Sequence, residues 1–573
     1  MRQVPILENL ASREMTMKKK PHQSWNIRVL AVAAAVAAAI AAASVFQAPL
    51  VPSASAAEIL RIGATQPIDS LNPFVSDSDY SSVFYQYVYP HLTEYDARLE
   101  IVPSFATKWE TSADGKVWTF HTVPDAKWSD GEPLTAKDAA FTFNLIRKFQ
   151  SGATGKLAGW VAHMEDAKAT DDNTLVLTYA LPVANVLTQL QALPILPQHI
   201  WEPLAEGNGE QISTFPNAAP VVAGGPFVLT KHENEQIALF ARNPNWWGEK
   251  KPVIDGFGLQ FFANDDAMIT ALVTDKLDMI GEQTPPTSVE TLKKAGMTVL
   301  SGPGVGMKTL IINTSADKPK NRELLDPKVR EALEYAIDRD TIDKIVWLGF
   351  STPGSTIVAP ASGYHDEAIK PLPYDTDKAN QILDEVGYKK GGDGIRVVDG
   401  RRMAYEVIFP TEENGTGDRA FQIIQAGFKK IGIEITQRKM DPGAASEAIQ
   451  APEAKYLDYD FAMWSWVPPV EPDFMLSIVT CAARGGNSDS GYCNADYDKM
   501  YLKQGTLLDS KERRAEISAM QKHIFEARPY IVLNYPNVIE AHSPKWEGFV
   551  LSPLVGSVNN LSTETLMNVH KVK

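Results

Sequence analysis

The sequence has few of the residues that hold metal clusters. Its 573 residues include two cysteines, Cys481 and Cys493, and its ten histidines are scattered singly along the chain. Iron–sulfur clusters need several thiolates, and Cys-rich zinc sites need closely spaced cysteines. Both kinds of site are therefore excluded, and we expect no cofactor.

Positive charge is also scarce. Lys and Arg number 55 against 70 Asp and Glu, which gives a formal net charge of −15, and no long basic run follows residue 30. Nucleic-acid binders and polybasic membrane-surface proteins need clustered positive charge, so both classes are excluded. A composition with 44% hydrophobic and 22% charged residues is typical of globular proteins. The length predicts two to four domains.

The N-terminus combines basic residues with an uncharged, alanine-rich stretch at about 29–46, followed by small residues at 54–57. This order is typical of a secretory signal peptide, so we predict that residues 1–57 are a leader cleaved after Ala56 or Ala57. An uncleaved membrane anchor is the alternative, because the stretch is nearly long enough to span a bilayer. No cysteine lies near the cleavage region, so we do not expect a lipoprotein. The predicted location is the periplasm or another extracytoplasmic space.

Export changes the interpretation of the two cysteines, because oxidising compartments allow disulfides to persist. Cys481 and Cys493 flank a Gly-, Ser- and Asn-rich stretch at 484–491 that is flexible enough to bring them together. We predict a disulfide that closes this loop, with two free thiols as the alternative. A metal site here is not expected, because no histidine lies nearby.

Local patterns predict alternating strands and helices. Asp114-Gly115 between β-forming residues indicates a hairpin, and Thr135 with Asp138 indicates the start of a capped helix. Residues 207–225, rich in Gly, Pro, Ala and Asn, are predicted to be a linker. The alternation along the chain predicts an α/β protein with mixed sheets.

Catalytic motifs are lacking. The glycine-rich stretch 302–306 has no Lys-Ser/Thr of a phosphate-binding loop, and a strand is predicted after it where phosphate binding needs a helix. The sequence contains no G-x-S-x-G, H-E-x-x-H or EF-hand pattern, and Asp77-x-Asp79 is interpreted as a turn. Paired carboxylates occur in any acidic protein, so a secreted glycosidase stays open.

Aromatic residues form three groups. Trp464 and Trp466 end a predicted strand and point to the same side, where they either fill the core or form a stacking wall beside a cleft. Trp246 and Trp247 have turn-like surroundings, which favours a packing role. The third group lies near the first loop and consists of Tyr80, Tyr85, Tyr87 and Tyr89.

Several segments together resemble one protein family. They are LNPF at 71–74, IVPSFATKWETSADGKVWTFHTVPDAKWSDGEPLTAKDAAFTF at 101–143, GPFVLTKHENEQIALFARNPNWWG at 225–248, DPKVREALEYAIDRDTI at 326–342, YDTDKANQILDEVGY at 374–388, and DYDFAMWSW with EPDF within 458–474. The chain after its leader resembles the extracytoplasmic solute-binding proteins of peptide-type ABC transporters. This is family 5, the oligopeptide- and dipeptide-binding class.

The resemblance implies a bilobed, periplasmic-binding-protein-like α/β fold of the large peptide-binding type, with an extra inserted subdomain and mixed sheets. Lobe I would contain residues 58–92, 225–305 and 530–573, the inserted lobe II residues 93–224, and lobe III residues 306–529. Two crossovers would hinge lobes I and III. The predicted disulfide also matches one found in dipeptide-binding relatives.

A receptor function follows from the resemblance. The chain would bind a peptide or peptide-like solute between its lobes, close around it, and deliver it to the transmembrane permease of an ABC importer. No bond would be made or broken, so we do not expect an enzyme, and we expect a monomer that binds no nucleic acid. The alternatives are an oligosaccharide receptor of the same family and a secreted hydrolase.

Dipeptide-binding relatives clamp both ends of their ligand. An Asp just after the strand with the two tryptophans binds the amine, and an Arg before the helix near Arg419 binds the carboxylate. Pro468 and Thr411 occupy these positions here. The dipeptide clamp is therefore predicted to be absent, unless Asp473, Glu471 or Arg419 takes a ligand role.

The ligand is accordingly left open among longer or modified peptides, an oligosaccharide stacked on Trp466, and, with less support, a nickel chelate. The residues predicted to contact it are Trp464, Trp466, Asp473, Thr411, Tyr87 and Gly304.

Overall fold

The computed structural model describes residues 57–76, 78–450, 459–554 and 556–573. The predicted leader up to Ala56 and Asp77 of the predicted turn lie outside the described residues. In the part of the chain that is described, no helix is both long and apolar enough to cross a membrane.

The strands and helices alternate as an α/β protein requires. The strands are β1 Ile59–Ala64, β2 Thr93–Tyr95, β3 Ile101–Pro103, β4 Ala106–Thr111, β5 Val117–Thr122, β6 Met164–Asp171, β7 Thr174–Tyr179, β8 Phe227–Glu233, β9 Ile237–Arg242, β10 Gly256–Phe261, β11 Met279–Ile280, β12 Thr298–Pro303, β13 Met307–Ile312, β14 Ser351–Pro353, β15 Val397–Val398, β16 Arg401–Arg402, β17 Ala404–Pro410, β18 Glu434–Met440, β19 Phe461–Trp466, β20 Tyr530–His542, β21 Trp546–Glu547 and β22 His570–Lys571. The helices are α1 Asp79–Val88, α2 Ala136–Lys148, α3 Val186–Gln191, α4 Gln198–Trp201, α5 Glu210–Thr214, α6 Asp265–Val273, α7 Val289–Lys294, α8 Pro327–Tyr335, α9 Arg339–Thr341, α10 Thr376–Glu385, α11 Thr416–Lys430, α12 Pro442–Ile449, α13 Asp473–Ser477, α14 Ala495–Gln504, α15 Ser510–Ala527 and α16 Glu564–Asn568.

A large mixed sheet runs through the described residues in the order β18-β17-β19-β13-β20-β11-β1-β10-β9-β8, and β12 and β14 also pair with β20. The 13-residue strand β20 joins its two halves. Near its start β20 pairs with β13, where Asn534 lies opposite Lys308, and beyond that it pairs with β12, where Asn537 lies opposite Pro303. The mixed sheets predicted from the sequence are therefore confirmed.

The chain crosses between the two halves of this sheet at two adjacent places. One is the connection from β12 to β13, and the other is the middle of β20. Gly304 lies in the connection, and a Cβ atom added to it would come within 2.5 Å of the Pro536 carbonyl oxygen. The close approach of the two crossing segments therefore requires glycine at this position.

A separate antiparallel sheet, in the order β4-β5-β7-β6, lies within the predicted lobe II. The predicted hairpin is confirmed as β4 and β5, joined around Asp114-Gly115. The predicted capping box is also confirmed at the start of α2, where the Thr135 backbone N–H donates to Asp138 Oδ2 at 2.8 Å.

Two local features go beyond the predictions. The tyrosines near the first loop lie mostly in a helix, because α1 contains Tyr80, Tyr85 and Tyr87, and the Ser78 hydroxyl accepts the Tyr80 backbone N–H at the start of that helix. The stretch 207–225 contains the short helix α5, and its role as a linker stays a prediction.

The core forms several clusters. One joins β1 and β8–β10 to the inserted sheet, and a second lies between β13, β17–β19 and helices α8, α10 and α11. A third covers the other face of β13 and β19 with helices α13–α15. Trp247 packs against the first cluster and donates its Nε1–H to the Gly224 carbonyl, and Trp246 donates to the Lys250 carbonyl, both at 2.8 Å. The predicted packing role of this pair is confirmed.

Candidate ligand-binding cavity

A cavity of about 930 Å³ lies where the three predicted lobes meet. Its wall includes residues from the β1–α1 region, from α3, and from the ends of β11 and β19. The middle of β20 and the loop after β21 contribute further residues. Residues distant in sequence therefore converge on one space, whose size lies near the top of the range of about 300–1,000 Å³ typical of small-molecule sites.

Trp466 lines this cavity at the end of β19. Its Nε1–H donates to Asp489 Oδ2 at 3.2 Å, and its ring meets Phe474 edge to face at 5.6 Å between centroids. Asp489 lies inside the loop closed by the Cys481–Cys493 disulfide, which confirms the predicted pairing. The loop thereby fixes the orientation of an aromatic side chain on the cavity wall.

Asp489 is fully buried, and burial raises the pKa of its carboxyl to about 7. Oδ2 accepts from Trp466, whereas Oδ1 has no hydrogen-bond partner among the described residues. The Tyr459 hydroxyl donates to the Asp489 backbone carbonyl, not to the carboxyl group. Within the part of the chain that the structure describes, the carboxyl is therefore buried without a cationic partner.

A second buried carboxylate is balanced by a cation. Glu471 lines the cavity and forms an ion pair with Arg513, with the two side chains 8% and 7% exposed. The Asp473 backbone N–H donates to Glu471 Oε2 at 2.8 Å. The Asp473 carboxylate in turn accepts from Gln504 Nε2 at 2.7 Å and from the Tyr501 hydroxyl at 3.2 Å. We call these five side chains the Glu471 cluster.

Lys308 on β13 is a basic residue of the same wall. Its Nζ lies 3.1 Å from both carboxylate oxygens of Glu413 and donates to Ser465 Oγ at 2.5 Å. The Ser465 hydroxyl donates to Glu413 as well. This triad links β13, β19 and the short 3-10 helix Thr411–Glu413.

The structure brings three of the predicted ligand contacts to the cavity, namely Trp466, Asp473 and Gly304. Pro468 and Glu471, the residues weighed at the amine position, line it as well. The ligand roles of these residues stay predictions.

The other predicted contacts do not line the cavity. Tyr87 is fully buried in the first core cluster, and its hydroxyl donates to the Ser562 carbonyl at 3.2 Å. Trp464 packs against the third cluster two residues before the end of β19. Thr411 and Arg419 are not among the residues that line the cavity. Glu413, between them in sequence, is the residue that accepts from Lys308.

Sequence reasoning missed much of the wall. Lys308, and carboxamides such as Gln189 and Asn560, come from segments without a common motif. Their one shared signal is polarity beside a strand or helix end, which occurs at many other positions in this chain. Among the described residues, no group of three or more His, Cys, Asp or Glu side chains could hold a metal ion.

Comparisons with known proteins agree with this architecture. The Dipeptide-binding protein of Escherichia coli (strain K12) is 25% identical over 491 residues, covering 82% of this chain and 87% of the relative. The Nickel-binding periplasmic protein of the same organism is 26% identical over 485 residues, covering 82% and 88%. The structure of the oligopeptide-binding protein AppA from Bacillus subtilis, in complex with a nonapeptide, matches with a TM-score of 0.71 and 23% identity, covering 90% of this chain and 99% of AppA.

The model of the family described as "Bacterial extracellular solute-binding proteins, family 5 Middle" matches residues 100–487, which is more than half of the chain. The matched region includes the inserted sheet, the crossover at Gly304, and Glu471 and Asp473 of the Glu471 cluster. This chain belongs to the family 5 extracellular solute-binding proteins.

Proposed function

We propose that the chain is the substrate-binding receptor of an ABC importer and that it captures a peptide or peptide-like solute in the 930 Å³ cavity. It is exported by a cleaved leader, works outside the cytoplasm as a monomer, and hands the solute to a membrane permease. It releases the solute chemically unchanged.

The observation that carries this proposal is the convergence of the three predicted lobes on one cavity. Asn185 and Gln189 come from the predicted lobe II, Trp466 and Glu471 from lobe III, and Asn537 from lobe I. A solute that touches all three binds the closed arrangement more tightly than an open one. Binding therefore shifts the population towards closure, which the permease can recognise.

Contacts between the predicted lobes II and III already exist, and one of them joins two residues of the cavity wall. The Ala184 backbone N–H donates to the Gly505 carbonyl at 2.9 Å. Asn185 Nδ2 lies 3.5 Å from Glu471 Oε2, and the hairpin turn at Gly115 lies against Leu508. These few contacts support an arrangement in which the solute completes closure. A micromolar solute contributes about −8 kcal/mol, which is enough to hold a hinge that differs by a few kcal/mol.

A titration with a cavity-filling variant tests the proposal. A Cβ added to Gly306 meets its nearest wall atom, the Trp466 carbonyl oxygen, at 3.6 Å, so Gly306→Phe is expected to fill the cavity without a backbone clash. Pools of peptides of two to ten residues should raise the melting temperature of the wild type and of Gly392→Phe, a control at an exposed glycine with open space around it. They should not raise that of Gly306→Phe. Absence of any shift in the wild type would overturn the proposal.

An oligosaccharide is the second candidate solute, because three tryptophans, Trp160, Trp347 and Trp466, line the cavity and offer flat apolar faces. Cello- and xylo-oligomers in the same titration distinguish the two. A shift with the sugars alone would favour the oligosaccharide.

A further inference from the structure

Charged side chains on the cavity wall are already held by other groups of the protein. Lys308 is ion-paired with Glu413, and Glu471 is ion-paired with Arg513. The Asp473 carboxylate accepts two hydrogen bonds from within the Glu471 cluster. Three of the charged groups that face the cavity therefore have partners before any solute arrives.

The remaining titratable groups of the wall are engaged or uncharged as well. Glu282 accepts the Thr65 backbone N–H at 2.5 Å and the Thr65 hydroxyl at 2.6 Å. Lys156 interacts with another group of the protein. His91 is buried, and burial lowers its pKa to about 4, so that its imidazole is neutral at pH 7.

At Lys308 and Glu471, a charged solute group would have to displace the ion-pair partner that is already there. Drawing Lys308 or Glu471 away from its partner would leave Glu413 or Arg513 as a buried, unpaired charge. Breaking a buried pair in this way is strongly unfavourable. A terminal ammonium or carboxylate of a peptide would thus gain little from an ion pair and would lose its hydration.

Uncharged hydrogen-bonding groups are plentiful on the same wall. A carboxamide offers both a donor and an acceptor, which suits an amide or a hydroxyl of a solute. The side chains of Gln66, Gln189 and Asn560 form no hydrogen bond with any described residue, and Gln189 Oε1 is buried without a partner. The carboxamides that line the cavity are Gln66, Asn185, Gln189, Gln191, Gln283, Asn537 and Asn560.

Resting on the proposed function, we propose that the solute is uncharged where it lies in this cavity and that Gln66, Gln189 and Asn560 bind it. The ligand class is a neutral chain of amides or hydroxyls between aromatic side chains. An end-blocked or cyclic peptide and a neutral oligosaccharide share this chemistry.

Matched ligand pairs test the proposal by calorimetric titration of the whole exported chain. One pair is a tetrapeptide pool with free ends and the same pool acetylated and amidated. The other is a neutral oligosaccharide, cellotetraose, and a uronate oligomer of the same length. In the pair that binds, the neutral member is expected to bind at least tenfold more tightly than the charged member. Which pair binds, the peptides or the sugars, identifies the source of the ligand.

A variant of one carboxamide residue tests whether these side chains bind the solute. Gln189→Leu, similar in size but without polar atoms, should weaken binding of the neutral member about tenfold. Gln381→Leu, on the exposed side of α10 where Gln381 contacts Glu385, should leave the affinity within twofold. Melting temperatures of both variants show whether they are folded.

Each outcome decides. Tighter binding of the neutral member, reduced in Gln189→Leu, supports the inference. Equal or tighter binding of the charged member would overturn it while leaving the receptor function intact. Failure of all four probes to bind would overturn this inference, and the proposed function would fall with it only if the peptide pools of two to ten residues also gave no shift.

Discussion

The Glu471 cluster and Asp489 are two buried carboxylate sites at the same cavity wall, and their carboxyl groups have different kinds of partner. Glu471 has Arg513 as a counterion, whereas Asp489 has a neutral indole N–H. Burial raises the pKa of both carboxyls, but Arg513 counteracts the effect at Glu471. The first site is therefore held together by charge, and the second changes its charge near neutral pH.

Removal of the Glu471 counterion should change the free energy of unfolding more than any other substitution at these two sites. Arg513→Met leaves Glu471 as a buried, unpaired charge, so the free energy of unfolding should fall by about 3–5 kcal/mol at pH 7. Denaturant unfolding measures the loss. The double variant with Glu471→Gln should recover most of it, and a loss below about 1 kcal/mol for Arg513→Met would show that the pair is not needed.

Opening the disulfide loop should have the next largest effect. The disulfide joins residues twelve positions apart and stabilises the chain by about 2–3 kcal/mol through loop entropy. A Cys481→Ser, Cys493→Ser double variant should lose this stabilisation. Because the loop carries Asp489, Trp466 should also become more mobile. Denaturant unfolding with and without reductant checks the first effect, and no difference between the two conditions for the wild type would contradict it.

Asp489→Asn should turn a pH-dependent site into a pH-independent one. The folded-state pKa of about 7 lies above the ordinary value of 3.8, so the folded state binds this proton more tightly than the unfolded state. The stability from this group is fully present below about pH 4 and is lost as the pH rises through 7.

At pH 8 the Asn variant should therefore be more stable than the wild type by about 1–2 kcal/mol. The gain falls below the full linkage value because the new amide N–H₂ is left unpaired at some cost. At pH 5 the advantage should vanish. Melting curves at both pH values give the comparison, and an equal difference at pH 5 and pH 8 would show that Asp489 does not titrate in this range.

Substitution of the two tryptophans of β19 should have the smallest effect, which is confined to solute binding for Trp466 and to stability for Trp464. Trp466 lines the cavity and Trp464 does not, so Trp466→Ala should weaken solute binding about tenfold, roughly 1.4 kcal/mol. Trp464→Ala should lower the melting temperature but leave the dissociation constant within twofold. Equal losses of affinity would mean that the two residues act through the fold and not through contact.

Local signals in the sequence predicted much of the fold. The Asp114-Gly115 hairpin and the Thr135–Asp138 capping box depend on neighbouring residues, and both are present. The helix α1 was not predicted, because Tyr85 and Tyr87 were grouped only by their position near the first loop. A short helix packed on a sheet is stabilised by tertiary contacts more than by its own sequence.

The candidate site could be predicted only in part. Trp466 was found because a strand end places it at an edge, and the disulfide because its two cysteines are close in sequence. The Lys308–Glu413 pair joins residues 105 positions apart, and Glu471 with Arg513 joins residues 42 positions apart. Such pairs depend on how the strands are ordered in the sheet, which no local pattern encodes.

Native mass spectrometry of the protein purified from its own host shows whether the cavity holds a solute. We expect a one-to-one complex of a monomer with a small solute, released intact on denaturation, and a free protein mass for Gly306→Phe prepared in parallel. A wild-type protein that carries no solute, or a Gly306→Phe variant that retains the same one, would contradict it.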